Sequence, residues 1–152
     1  MTAANAEAMR DLAKSLDEFA LSSVALAPEE LAQRLDQMEA EQSHKLRMHP
    51  DLQLETTRRI EECKFLILSQ RNLPAETVDA LYRQVCSLGF TDLAVEVVIG
   101  MSFGQYCIRT GRPQHARAAI DSLIRKLKEP TVHRKFAVFW LKRAEAVSAG
   151  LK

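Results

Sequence analysis

The residues of this chain that could do chemistry are few and badly spaced for it. Four histidines and three cysteines occur in 152 residues. His44 and His49 stand five apart, and the cysteines at 63, 86 and 107 form no C-x-x-C pair, so neither set has the spacing of a zinc site. Glu61 and Glu62 are adjacent. On a helix their side chains point about 100° apart, which is wrong for a carboxylate pair sharing a proton or a substrate. His115 falls in the first turn of a helix and reads as an exposed polar residue rather than a general base. No G-x-S-x-G elbow or P-loop is present. The expectation is therefore a protein that is not an enzyme and needs no cofactor or metal.

Binding chemistry is better represented. Residues 1–108 hold 10 Lys/Arg and 17 Asp/Glu, whereas residues 109–152 hold 11 and 3, within a net charge of +1. The basic end carries Arg112, Arg117, Arg125, Lys126 and Lys135, an arrangement that could face an anionic partner. Solvated helix faces and complements to helix C-termini explain many of the same charges. Aromatic residues are only 6% of the chain, too few for a base-stacking surface, so nucleic acid is an unfavoured partner.

The elements that must position these groups are helices. The first 88 residues contain no glycine, and all five glycines come later. Prolines at 28, 50, 74, 113 and 130 are spaced so that each can open a helix in its first turn. No stretch alternates with period two. About seven helices are expected: 5–24, one after Pro28, 50–71, 74–88, 91–110, 113–128 and one after Pro130. Their apolar stripes are Leu12/Leu16/Phe19, Leu31/Leu35/Met38, Ile60/Cys63/Ile67, Val78/Leu81/Val85, Val97/Met101/Ile108, Ile120/Leu123/Leu127 and Phe136/Phe139/Trp140. Gly89 is expected to close the fourth helix with Phe90 beyond it, and Thr91 to cap the fifth. The fold class is all-α, and the organisation is one helical domain over residues 1–152. Within it, 5–48 form an N-terminal hairpin that could dimerise the protein, with Glu39–Lys45 reaching partly into solvent. The helix from Pro130 caps the other end, with Phe136, Phe139 and Trp140 inward and Lys135, Lys142 and Arg143 in water.

Length and composition agree with this. A chain of 152 residues, 47% hydrophobic and 27% charged, can bury roughly 70% of its unfolded surface without a staple. Unpaired cysteines, buried as structural thiols, suit a reducing compartment. The N-terminus has no basic segment before an apolar one, and the most apolar stretch, Leu93–Met101, is far short of the ~20 residues that span a bilayer. A cytoplasmic location without a membrane partner is the expectation.

One segment has a spacing of its own. Gly104, Gly111, Ala116, Ile120 and Leu123 follow one another at seven, five, four and three. Aligning Pro74 with Pro113 gives a fainter copy, with Thr77 opposite Ala116 and Leu81 opposite Ile120. Small residues at 104 and 116 let two helices approach closely, and Gly100 and Gly104 add a G-x-x-x-G step suited to helix packing. Over residues 97–128 this resembles the tetratricopeptide repeat, a helix–turn–helix of roughly 34 residues. The aromatic near the start of that repeat would fall on Gly100, and its closing proline on Lys128, so the match is partial. The resemblance implies TPR-like helix pairs over 50–128, possessing a right-handed superhelical or bundle arrangement. It also implies an adaptor or chaperone that holds a peptide or helix of another protein. The first helix of a repeat lines the groove, which puts Val98, Met101, Gln105, Ile108 and Arg109 on the binding face. Two rival readings are nucleic-acid binding through the basic face of 109–143, and a structural subunit whose acidic end stacks on the basic end of a neighbour.

Overall fold

The structure is a computed structural model in which residues 2–151 are described. Seven α-helices account for most of them, and no strand occurs among the described residues. The chain is all-α, as its periodicity requires. Two compact units divide it, residues 1–91 and 92–152.

The first unit holds α1 (Ala3–Ser23), α2 (Pro28–Lys45), α3 (Gln53–Leu68) and α4 (Ala75–Leu88). The Thr2 hydroxyl caps α1 by accepting from the Asn5 amide at 3.1 Å. Pro28 sits in the first turn of α2, followed by Glu29 and Glu30, which favour the positive end of the helix dipole. Leu31, Leu35, Met38 and Gln42 form its buried stripe. Leu12 and Leu16 of α1 meet that stripe, and Ile60, Cys63 and Ile67 of α3 complete a single core. The segment Glu39–Lys45 does reach partly into solvent, with Ala40, Glu41, Ser43, His44 and Lys45 exposed. Gln42 is buried, and Glu39 is held by Lys64.

Local chemistry shifts several expected boundaries. Two single 3-10 turns, Leu46–Met48 and Pro50–Leu52, precede α3, so Pro50 opens a turn rather than a helix. His49, between them, is half-buried, with its Nδ1 2.8 Å from Oδ1 of Asn5. Gly89 does take a positive φ of 78°, but its ψ of 170° is extended, a region open essentially to glycine alone. Arg58 also closes this end. Its Nε and Nη2 both donate to the Leu88 carbonyl, at 3.2 and 2.9 Å, so a cation closes the negative end of α4.

The second unit holds α5 (Leu93–Arg109), α6 (Pro113–Leu127) and α7 (Arg134–Gly150). Its core joins Val97 and Met101 of α5, Ile120, Leu123 and Leu127 of α6 and Ala144 of α7. Asp92, not Thr91, caps α5, because its carboxylate accepts from the Val95 amide at 2.9 Å. The spacing of small residues has the effect expected of it. A Cβ on Gly100 would lie 2.6 Å from Leu123 Cδ1, and one on Gly104 2.8 Å from Ile120 Cδ1. Ala116 is fully buried at the same crossing. Gly111 turns the chain with φ 74°. Its amide donates to the Ile108 carbonyl, and that of Arg112 to the Cys107 carbonyl, which together make a Schellman closure. Pro130 lies in the turn between α6 and α7, four residues before α7 begins.

Candidate functional site

The five α5 residues assigned to a binding face are not equivalent. Met101 is buried in the core of its own unit against α6 and α7, and offers no groove surface. Its i+4 spacing to Val97 belongs to the same stripe that buries α5. Val98 is half-buried, while Gln105, Ile108 and Arg109 are exposed. The Arg109 guanidinium lies 5.6 Å from the centre of the buried Tyr106 ring, and that of Arg112 lies at the same distance. These are cation–π contacts, which hold both arginines against the helix surface.

Nor do the basic residues act as one group. Both carboxylate oxygens of Glu96 accept from Lys126 Nζ, at 2.8 and 2.9 Å. Arg117 donates to the carbonyl of Leu151. Lys128 reaches Glu145 at 4.0 Å. Arg125 and Lys135 are exposed. Much of the positive balance of 92–152 is thus engaged by its own unit. On α7, Phe136 and Trp140 are half-buried as expected, but Phe139 is exposed, with the Arg143 guanidinium 3.5 Å from its ring centre.

The first unit holds the more developed polar chemistry, and the sequence pattern gives little sign of it. Glu61 and Glu62, whose adjacency excludes a shared proton or substrate, are both buried. The Glu62 carboxylate accepts from the Thr91 amide at 2.7 Å and from the Thr91 hydroxyl at 2.5 Å. Glu61 and Glu39 flank Lys64, each 3.3 Å from its Nζ. Burial alone lowers the affinity of that ammonium for its proton, and the two carboxylates more than reverse this, raising its pKa above the ordinary value. Arg71 donates to the carbonyls of Leu26 at 2.9 Å and Ser23 at 2.6 Å, closing the C-terminal end of α1. Cys63 is buried and its pKa is pushed up to about 11, first by burial and then by Asp17. Cys86, expected to be buried, is exposed. Among the described residues no three His, Cys, Asp or Glu side chains come together as a metal site. No described helix is long and apolar enough to cross a membrane.

These interactions frame an apolar groove of about 570 Å3. Leu31 and Leu35 of α2 and Leu68 of α3 form its floor. Ala32, Leu73 and Thr77 of α4 line it as well, with Asp36, Gln70 and Asn72 as polar members. Lys64 and Arg71 also line it, but their charges are already matched by Glu39 and Glu61 and by the α1 carbonyls. An occupant therefore meets a mostly apolar interior in which the Lys64 and Arg71 charges are already matched, with Asp36 as a further charge on the lining. Sequence periodicity could not reveal this site, because its wall is built from one helix, the end of another and the turn beyond it.

No family model matches the chain, and neither a curated protein nor a solved structure matches it.

Proposed function

We propose that the protein is a non-catalytic interaction module, an adaptor or chaperone that holds an amphipathic segment of another protein in the groove beside α2. The groove itself carries this reading. Its volume falls in the range of about 300–1,000 Å3 typical of ligand sites. Much of its lining comes from α2, and that lining is mostly apolar, with Lys64 and Arg71 already engaged. A helical segment presenting apolar side chains at i, i+3/i+4 and i+7 suits such a surface. The TPR-like reading of α5 and α6 is kept as part of the proposal, supported by the glycine–alanine crossing and the Gly111 turn. Gln105, Ile108 and Arg109 then extend a binding surface rather than define it. A cytoplasmic setting fits three cysteines without a disulfide among them.

Ala32 is the residue to test, because it is exposed on the groove wall and its replacement leaves the core stripe of α2 intact. A photo-crosslinking amino acid at position 32 should capture a partner in the native cell. With that partner purified, Ala32→Arg should weaken binding by tenfold or more (about 1.4 kcal/mol) while the thermal melt stays unchanged. Undiminished binding by Ala32→Arg would refute the groove.

A further inference from the structure

Two exposed helix patches in this chain carry the same pattern with opposite charge. On α1, Asp17, Leu21 and Val24 stand at i, i+4 and i+7, with Glu18 beside them. Leu21 is 79% exposed and Val24 76%. On α7, Lys135, Val138/Phe139 and Lys142 stand at i, i+3/i+4 and i+7, with Arg143 next to them. Val138 is 59% exposed and Phe139 48%. Each patch is thus a pair of large apolar side chains beside charge, acidic residues preceding the pair on the first and basic residues on both sides of it on the second. Exposed apolar pairs of this kind, rimmed by charge, mark association surfaces more often than isolated exposed leucines do.

The acidic patch also contains a receptacle. Beside Val24, between α1 and α3, lies a pocket of about 390 Å3 lined by Ala20, Leu66 and Ile67, with Arg71 at its edge. It has room for an aromatic ring. Arg71 already caps the carbonyls at this end of α1, so the negative charge that the patch offers comes from Asp17 and Glu18. The ring on the basic patch is already coated with a cation, since Arg143 lies over Phe139 and donates to the Phe139 carbonyl at 3.0 Å. A Phe139 side chain entering the pocket therefore brings positive charge to the Asp17/Glu18 stripe.

We infer that α7 of one copy docks on the C-terminal end of α1 of a second copy, with Phe139 seated in the pocket beside Val24. Charge complementarity selects the occupant. Residues 1–91 hold 10 Lys/Arg and 15 Asp/Glu, and residues 92–152 hold 11 and 5, so the chain supplies both halves of the interface. The contact joins two different patches, so it is heterologous, and a bound pair retains one unused patch of each kind. This inference goes beyond the groove reading and does not require it.

The test uses the full chain in sedimentation velocity across low to high micromolar concentrations, at low and moderate salt. Wild type should self-associate, more weakly as salt rises. Phe139→Asp and Val24→Lys alter exposed residues and should leave the circular dichroism unchanged, yet each alone should weaken association at least tenfold. Mixed together, they should form a one-to-one pair and nothing larger, because each variant retains the patch the other lacks. A monomer at every concentration would overturn the inference. So would association indifferent to both substitutions, or a mixture that stays monomeric. A monomer that instead sediments with anionic lipid vesicles in a Phe139-dependent way would also overturn it, and would assign the α7 patch to a membrane surface.

Discussion

Residues 1–91 and 92–152 are both helical, but they are held by different means. In the second unit, close approach does the organising. Gly100, Gly104 and Ala116 remove side-chain bulk at the α5–α6 crossing so that Leu123 and Ile120 can fill it. In the first unit, side chains from one helix reach the backbone or charge of another. Arg58 closes α4, Arg71 closes α1, and Glu62 ties down Thr91. The comparison shows two routes to the same secondary structure. One depends on the shape of a contact and the other on satisfying polar groups taken out of water. The second route leaves α2 with an unfilled apolar flank, and that flank is the groove.

The difference can be broken most strongly at the crossing. Gly100→Leu should destabilise residues 92–151 by about 3 kcal/mol, since the new side chain must occupy the place of Leu123. Hydrogen exchange should show the loss in α5–α7 amides first. Gly100→Ala should lose only about 1 kcal/mol, because the gain in helix propensity offsets part of the displacement of Leu123. Equal tolerance of both would mean that the crossing is loose.

Next in size is the buried acid of the first unit. Glu62→Ala leaves the Thr91 amide and hydroxyl without their acceptor and should cost about 2 kcal/mol in denaturant unfolding. Glu62→Gln should recover more than half of that, since its amide oxygen accepts from one group while its NH2 donates to the hydroxyl. A Gln variant as damaged as the Ala variant would show that charge, not hydrogen bonding, holds this site.

Lys64 gives a smaller effect with a pH signature. Lys64→Met should cost about 1–2 kcal/mol at neutral pH. The pKa of Lys64 is raised in the folded protein, so its contribution is fully present below the unfolded value, near 10.5, and fades as pH rises through the folded one. The stability gap between wild type and variant should therefore close above pH 10.5, as read by urea midpoints. A gap independent of pH would contradict the ion pairing.

The smallest effect is on reactivity alone. With Cys63 buried and its pKa near 11, and Cys107 buried, a thiol reagent at pH 8 should modify Cys86 rapidly and the other two only on unfolding. Cys86→Ser should remove the fast phase without moving the melting temperature.

What the sequence made legible follows the same division. The α5–α6 crossing could be read from the spacing of Gly104, Gly111 and Ala116, because a small residue has only one use at a helix contact. Positive φ at Gly111 follows from the same reasoning. The helices themselves came from their apolar periods and prolines. The polar framework of the first unit could not be read this way. Glu61–Glu62 has the composition of a solvated surface, and the burial of Glu62 depends on Thr91, 29 residues away. Thr91 looked like a helix cap because its hydroxyl suits that role, yet Asp92 takes it and frees Thr91 for Glu62. Met101 was placed on a binding face by analogy with a repeat, whereas it shares a stripe with Val97 and joins Ile120 of α6 in the core. Phe139 was assigned inward from its i+3 spacing to Phe136, but the buried stripe runs through Phe136, Ala137, Trp140 and Ala144 and leaves Phe139 at its exposed margin.

The most direct measurement compares crosslinking from position 32, on the groove wall, with crosslinking from position 105, on the exposed face of α5. Both probes would be placed in the full chain in its native cell. A partner protein captured from position 32, and displaced by Ala32→Arg in a purified binding assay, is the expected result. Capture of that partner from position 105 alone, with Ala32→Arg binding as wild type does, would contradict the groove and return the binding face to α5.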